Sequence, residues 1–340
     1  MRRNRKNDKI KDEKELELAF DFRGTELTLG HYIGTGLWLG WFLGLPCLLL
    51  LLYILWYIEA KEAFYLISTL LLIATLYPVK RHLQPQWGWK LGKFSCISAI
   101  EYFGCRLYYT DRKAVANSGP AMFVLEPHGV MPLGIMALTD YVGANKGHKN
   151  VGCVTGAAFY APILKQMFTW NGAESCDRDN VLRLMKEGWS PTICPGGVAE
   201  VGEMHNADKE CVLFLKKRKG TVKLALQFGR PIVPIFNFGI HKSYRCWVPK
   251  SETFVWLGRK LGGLPILFLG LWNIPFFIPK PEPVTVVMGT PIFVPQINPD
   301  DSDYLIQVDK YHNQLLDAYE KLYTEHHEKF DMGEVKLRIV

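Results

Sequence analysis

The 340-residue chain contains no C-x-x-C pair, and its eight cysteines (Cys47, Cys96, Cys105, Cys153, Cys176, Cys194, Cys211 and Cys246) are scattered without a Cys/His cluster. That pattern argues against a disulfide framework and against a zinc site, so reduced thiols and no metal are expected. Asn-x-Ser/Thr sequons are absent too, in keeping with a catalytic body that never faces a lumen. There is no Gly-x-Ser-x-Gly elbow, no internal repeat and no low-complexity segment. Charge of one sign is never gathered into a stripe: 40 Lys and Arg interleave with 33 Asp and Glu, for a net charge of +7. A nucleic-acid groove is therefore not expected, whereas a membrane surface or an anionic cofactor fits.

From Leu37 to Ile58 the chain runs strongly apolar for 22 residues without a charge. As a helix it would reach about 33 Å, enough for a bilayer core. A second apolar run, Ala63–Tyr77, follows Glu59-Ala60-Lys61-Glu62 and stops at Pro78. At roughly 22 Å it either tilts through or re-enters. A cleaved signal peptide is excluded by the 36 largely polar residues before the first run. Basic residues from Arg2 to Lys14 precede the pair, and Lys80, Arg81, Lys90 and Lys93 follow it. The positive-inside rule then puts both ends in the cytosol. The expected organisation is a polar tail over 1–35, a membrane hairpin over 36–79 (segments 36–58 and 63–78) and a cytosolic-face domain over 80–340.

Within that last part, short apolar or β-branched runs recur at Ala121–Leu125, Val151–Val154, Thr192–Cys194, Pro231–Phe236 and Val284–Met288. Helix-period stretches separate them at Leu133–Val142, Arg178–Gly188, Cys211–Lys217, Thr221–Phe228 and Asp303–Lys329. The alternation predicts an α/β fold, a mixed or mostly parallel sheet flanked by helices. Phe254–Ile278 is apolar but broken by glycines and prolines. An interfacial element and a plain core segment explain it equally well.

Two turns carry the chemistry. The run Ala121–Leu125 leads into Glu126-Pro127-His128-Gly129, which presents His128 at the carboxyl end of a strand, where open α/β sheets place ligands. A second short strand leads into Cys194-Pro195-Gly196-Gly197-Val198-Ala199-Glu200. Paired glycines let backbone N–H groups approach an oxyanion or a phosphate, and Glu200 is placed to orient or polarise His128. His31, His148, His205, His312, His326 and His327 read as surface residues. Lys216-Lys217-Arg218-Lys219 is either a solvated charge run or a contact for phosphates.

Together these blocks resemble the type-2 diacylglycerol acyltransferase family, which includes monoacylglycerol and wax-ester acyltransferases. Glu126-Pro127-His128-Gly129 is similar to that family's His-Pro-His-Gly signature, in the variant with Glu first seen in plant and algal members. Gly196-Gly197-Val198-Ala199-Glu200 is similar to its Gly-Gly-x-x-Glu block, and Arg218–Ala225, Pro231–Gly239, Val284–Ile292 and the Tyr311-His312 helix follow in register. The resemblance implies a glycerolipid-acyltransferase-like fold behind a membrane hairpin, with His128, Glu126 and Glu200 as catalytic residues. Pro127, Gly129, Pro195, Gly196, Gly197, Arg178, Arg218 and Lys219 become substrate-binding candidates. It also implies acyl-CoA as co-substrate, no bound cofactor, and diacylglycerol or another neutral lipid alcohol as acceptor. The setting implied is the endoplasmic reticulum membrane or a lipid-droplet surface, with a homo-oligomer left open. The His-x4-Asp dyad of the wider glycerolipid acyltransferases is missing, because Leu133 stands five residues after His128. A hydrolase using Cys194 and a non-catalytic lipid-binding protein are the rival readings.

Overall fold

The structure is a computed structural model and describes residues 16–39, 44–80, 83–142, 148–205, 209–248, 251, 253, 256 and 266–340. It opens with β1 (Glu17–Asp21), α1 (Leu29–Leu39), α2 (Gly44–Tyr57), α3 (Lys61–Leu76), α4 (Gln86–Tyr102), β2 (Arg106–Tyr109), α5 (Arg112–Asn117) and β3 (Met122–Glu126). A 3-10 stretch (Leu133–Leu138), β4 (Asn150–Val154), α6 (Leu164–Trp170), β5 (Ala173–Ser175), α7 (Arg178–Lys186), β6 (Ser190–Ile193) and α8 (Gly197–Val201) come next. Then follow β7 (Glu210–Leu213), α9 (Gly220–Phe228), β8 (Ile232–Phe238), β9 (Arg245–Trp247), β10 (Leu267–Leu269), β11 (Thr285–Met288), α10 (Tyr304–His326) and β12 (Lys336–Ile339).

Eight strands make one mixed sheet in the order β1-β2-β11-β8-β3-β6-β4-β5. β8, β3, β6, β4 and β5 run parallel, while β11 is antiparallel to β8 and parallel to β2. Each of the five strands read from apolar runs is present, with ends shifted by no more than two residues. Their apolar character reflects burial on both faces. In β3, Met122 and Val124 pack with Val181 and Leu184 of α7, Val222 of α9 and Tyr319 of α10. Phe123 and Leu125 point the other way, into a core with Ile100 of α4, Phe103 just after it, Leu133 and Met136. Each such side chain, wholly withdrawn from water, contributes about 1.5–3 kcal/mol.

Several expectations need correction. Cys211–Lys217 is not helical: Glu210–Leu213 is a strand paired in parallel with β12, a partner more than 120 residues away. A five-residue apolar run fits either element, and only the distant partner decides. Leu133–Val142 yields a 3-10 stretch ending at Leu138 rather than a full helix. The tail over 1–35 is ordered structure from Leu16 onward in its described part, with β1 on the edge of the sheet and α1 against α4; residues 1–15 lie outside the described residues. Leu39, expected inside the hairpin, is buried among Ala99 and Ile100. The described part of Leu37–Ile58 is thus shared between α1 and α2, and no helix among the described residues is long and apolar enough to cross a membrane. Most of the segment expected at 254–265 also lies outside the described residues.

α2 and α3 leave much apolar surface uncovered, with Trp56, Tyr57, Leu66 and Leu76 exposed. α3 is nevertheless fastened to the body at its carboxyl end. Lys165 Nζ donates to the carbonyls of Thr75 (2.6 Å) and Tyr77 (3.0 Å), and Gln166 Nε2 donates to that of Ala74 (2.6 Å). The last carbonyls of a helix lack partners of their own and carry partial negative charge, so a buried ammonium there answers both needs.

Candidate active site

β3 and β6 are neighbours in the sheet, with Val124 opposite Ile193, so their carboxyl ends bring the two turns together. His128 and Gly129 follow β3, and Gly129 takes a left-handed φ of +60°, where a Cβ would also meet Ile240 at 3.1 Å. Glycine is therefore required at that corner. Asn237 of β8, fully buried, donates from Nδ2 to the Pro127 carbonyl (3.1 Å) and fixes the turn from the other side. Sequence reasoning missed Asn237; the signal was an amide inside an otherwise apolar strand.

Glu126 and Glu200 both have 0% exposure and lie against each other behind the turns. Glu126 Oε1 accepts the Gly196 N–H (2.7 Å), and Glu200 Oε1 accepts the N–H groups of His128 (2.5 Å) and Gly129 (3.1 Å). A Cβ on Gly196 would come within 2.5 Å of Glu200 Oε2 and 3.1 Å of Glu126 Oε1, so glycine alone permits this packing. Burial, then the neighbouring Glu200 charge, pushes the Glu126 carboxyl well above its ordinary range. Burial also raises Glu200, to about 7, against the opposing hydrogen bonds from Glu126 and the two N–H groups. Once Glu200 has ionised, above about 7, it carries the charge of the pair and Glu126, pushed well up, keeps the proton between them.

The expected link between Glu200 and the imidazole is replaced by one to the main chain. The ring itself is oriented by Gly129, whose carbonyl lies 2.8 Å from His128 Nδ1. A carbonyl only accepts, so Nδ1 carries the hydrogen and Nε2 keeps its lone pair. Among the described residues Nε2 has no hydrogen-bond partner. Burial lowers the His128 pKa, partly opposed by the Gly129 carbonyl, so the ring is neutral at pH 7. The oxyanion role expected of the paired glycines changes for Gly196, whose N–H is already held by the Glu126 carboxyl, as that of Gly129 is by Glu200. Cys194 lies in the same turn, but burial and then the charges of Glu126 and Glu200 push its thiol well up, which suppresses the thiolate a nucleophile needs.

Pro127, Gly129, Pro195, Gly196 and Gly197 thus converge with His128, Glu126 and Glu200. Arg178, Arg218 and Lys219 do not enter that cluster. Arg178 begins α7 and is exposed; Arg218 is exposed, with its guanidinium 5.2 Å from the Phe214 ring; Lys219 pairs with Asp309 at 2.6 Å. α7 and α9 each precede a strand of the parallel set, so their amino ends lie at the sheet's carboxyl edge, as the two turns do. Of the histidines expected at the surface, His148, His312 and His326 are buried, and His31 pairs with Glu101 at 2.9 Å. Polar neighbours in sequence did not reveal that they face inward from their elements.

Comparison with known proteins agrees with the resemblance drawn from the two turns. The chain is 28% identical over 284 residues to diacylglycerol O-acyltransferase 1 of Eremothecium gossypii, covering 79% of this chain and 60% of that protein. It is 26% identical over 322 residues to human diacylglycerol O-acyltransferase 2, covering 87% and 78%. Mouse acyl-CoA wax alcohol acyltransferase 2 is 27% identical over 275 residues, covering 73% and 79%. Among solved structures, the 1-acyl-sn-glycerophosphate acyltransferase PlsC of Thermotoga maritima matches at 13% identity and a TM-score of 0.36, over 80% of this chain and 96% of that one, a likeness too loose to argue from. The family profile described as diacylglycerol acyltransferase matches residues 49–339, and on that extent the chain belongs to the diacylglycerol acyltransferase family.

Proposed function

We propose that this chain transfers a fatty acyl group from acyl-CoA to the free hydroxyl of diacylglycerol, with His128 as general base. The observation that carries the reading is the tautomer of His128: Nδ1–H tied to the Gly129 carbonyl leaves Nε2 as a free base at the carboxyl end of the sheet. Nε2 removes the hydroxyl proton as the acceptor oxygen attacks the thioester carbonyl, a role worth roughly 10²–10⁴-fold in rate. The tetrahedral adduct then expels CoA as its C–S bond breaks, and the imidazolium returns the proton to the departing sulfur. Glu200 and Glu126 hold the main chain of both turns in place and touch no substrate. Among the turn glycines, Gly197 keeps an N–H outside the carboxylate network and is the donor for the oxyanion. Arg178, Arg218 and Lys219 supply positive charge at that edge for the CoA phosphates.

The uncovered faces of α2 and α3 favour insertion into one leaflet of the endoplasmic reticulum membrane or a lipid-droplet surface. Both ends of the hairpin then remain cytosolic. At 14 and 16 residues these helices reach about 21 and 24 Å, shorter than a bilayer core. The test is acyl transfer by membranes carrying the wild-type chain or His128→Gln, given acyl-CoA with diacylglycerol, monoacylglycerol or a fatty alcohol. Loss of at least 10²-fold in His128→Gln, at equal protein and equal flotation with vesicles, is expected. Undiminished turnover would remove His128 from the chemistry, and preference for another acceptor would reassign the substrate.

A further inference from the structure

The sheet face opposite the carboxyl pair carries a feature that the acyl-transfer site does not use. A cavity of about 130 Å³ is walled by the strands β4, β5 and β6, the 3-10 stretch and the helices α1, α4 and α6. Its wall includes Trp38, Trp89 and Phe168, all half-buried, so part of it reaches the surface. None of His128, Glu126 or Glu200 lines it. Asn150 pairs with Ser190 in the register of β4 and β6, four residues before Cys194. At about 3.3 Å per residue, that is roughly 13 Å short of the catalytic edge.

Two asparagines in this wall are incompletely bonded. Asn150 is 5% exposed; its Nδ2 reaches only the Leu138 carbonyl, at 3.4 Å, and its Oδ1 has no partner. Asn171 is 7% exposed; its Oδ1 accepts Ser95 Oγ at 2.7 Å, and its Nδ2 has no partner. Ser95 has one proton to share between Asn171 and the Gly92 carbonyl (2.9 Å), so turning the Asn171 amide over merely exchanges which of its atoms is left. Buried amides without partners are costly and mark a place where something else binds. Among the described residues the wall holds the carboxylate of Asp140 and no Lys, Arg or His side chain, so it offers no cation for a phosphate or a carboxylate. A hydrocarbon chain alone would leave both amides unanswered. Asn150 and Asn171 each precede the pair Gly152–Ala173 by two residues, so they are level across β4 and β5, and one hydroxyl has both the proton for an amide oxygen and the lone pairs for an amide N–H.

We infer that this cavity binds an uncharged lipid alcohol through Asn150 and Asn171, as a second molecule separate from the one whose hydroxyl meets His128. A lipid with its hydroxyl on His128 cannot also place that hydroxyl 13 Å back along the strands, a separation that follows from the strand rise. The inference takes only the identity of the lipid from the proposed reaction, a diacylglycerol or a fatty alcohol. A triacylglycerol has no hydroxyl and is excluded.

The test uses the full chain in detergent with a diazirine-bearing diacylglycerol, and the crosslinked peptides are mapped. Crosslinks within 133–142 and 164–173 are expected, competed by dioctanoylglycerol or tetradecanol but not by tricaprylin; whichever competes better names the source. In Asn150→Leu/Asn171→Leu those crosslinks should fall at least tenfold while crosslinks near the catalytic turn persist, and the lipid-free melting temperature should hold or rise. Ala173→Leu, which fills the cavity from β5, should give the same loss if the double variant does not fold. No crosslink in either peptide, equal competition by tricaprylin, or unchanged labelling of both variants would overturn the inference, the last two assigning the amides to bound water. Labelling is read without turnover, so its failure is distinct from failure of the acyl-transfer reading.

Discussion

Replacing Glu126 by Gln should leave most activity, whereas replacing Glu200 should not, although both carboxyls are equally buried. Glu126 holds the shared proton, so an amide reproduces it: the Gln carbonyl accepts the Gly196 N–H and the NH₂ group donates to Glu200. Transfer by Glu126→Gln should stay within about threefold of wild type, which corresponds to roughly 0.7 kcal/mol. Glu200 accepts two main-chain N–H groups as a charged acceptor. Such bonds are worth about 1.5–3 kcal/mol each. Glu200→Ala therefore frees the His128 turn at a cost of roughly 3–6 kcal/mol, and the rate should fall by about 10²–10⁴. Glu200→Gln keeps a neutral acceptor at roughly half the strength and should lose about 10–100-fold. Initial rates against acyl-CoA and diacylglycerol, normalised to folded protein, test this order. A Glu126→Gln enzyme as inactive as Glu200→Ala, with its fold intact, would refute the shared proton.

The pH profile of kcat/KM should be bell-shaped. Its acid limb lies near 7, where Glu200 ionises, because burial lowers His128 below the ordinary 6.5, and its alkaline limb follows loss of the proton from Glu126, which burial and the Glu200 charge push well up. Because both carboxyls are raised on folding, the native state holds protons that the unfolded chain releases near 4.3. Their contribution to stability therefore declines as pH rises from there through about 7 and beyond, which thermal melts across that range will detect. Cys194→Ala should retain nearly full transfer, since its thiol is held protonated; abolished activity in a folded variant would point to a covalent acyl-enzyme. Lys165→Met removes two bonds from the end of α3 and should cost about 2 kcal/mol, with faster proteolysis around residues 77–85 as the readout.

The sequence by itself determined the strand runs, because strands buried on both faces must be apolar throughout, and it placed His128 at a strand end through Pro127 and Gly129. It also marked Glu126, Gly196 and Glu200 as members of one site. What each of them does was decided only by the tertiary structure. A carboxylate's partners depend on which backbone N–H groups fold toward it, and residues 126 and 200 meet only because β3 and β6 are adjacent. The same holds for the strand at Glu210–Leu213, which needed a partner at Lys336–Ile339, and for three buried histidines that sequence neighbours made look exposed. Asn150 and Asn171 come from different elements and carry no shared motif. Local pattern encodes burial and turn geometry, which are properties of short segments, whereas the pairing of polar atoms is a property of the assembled core.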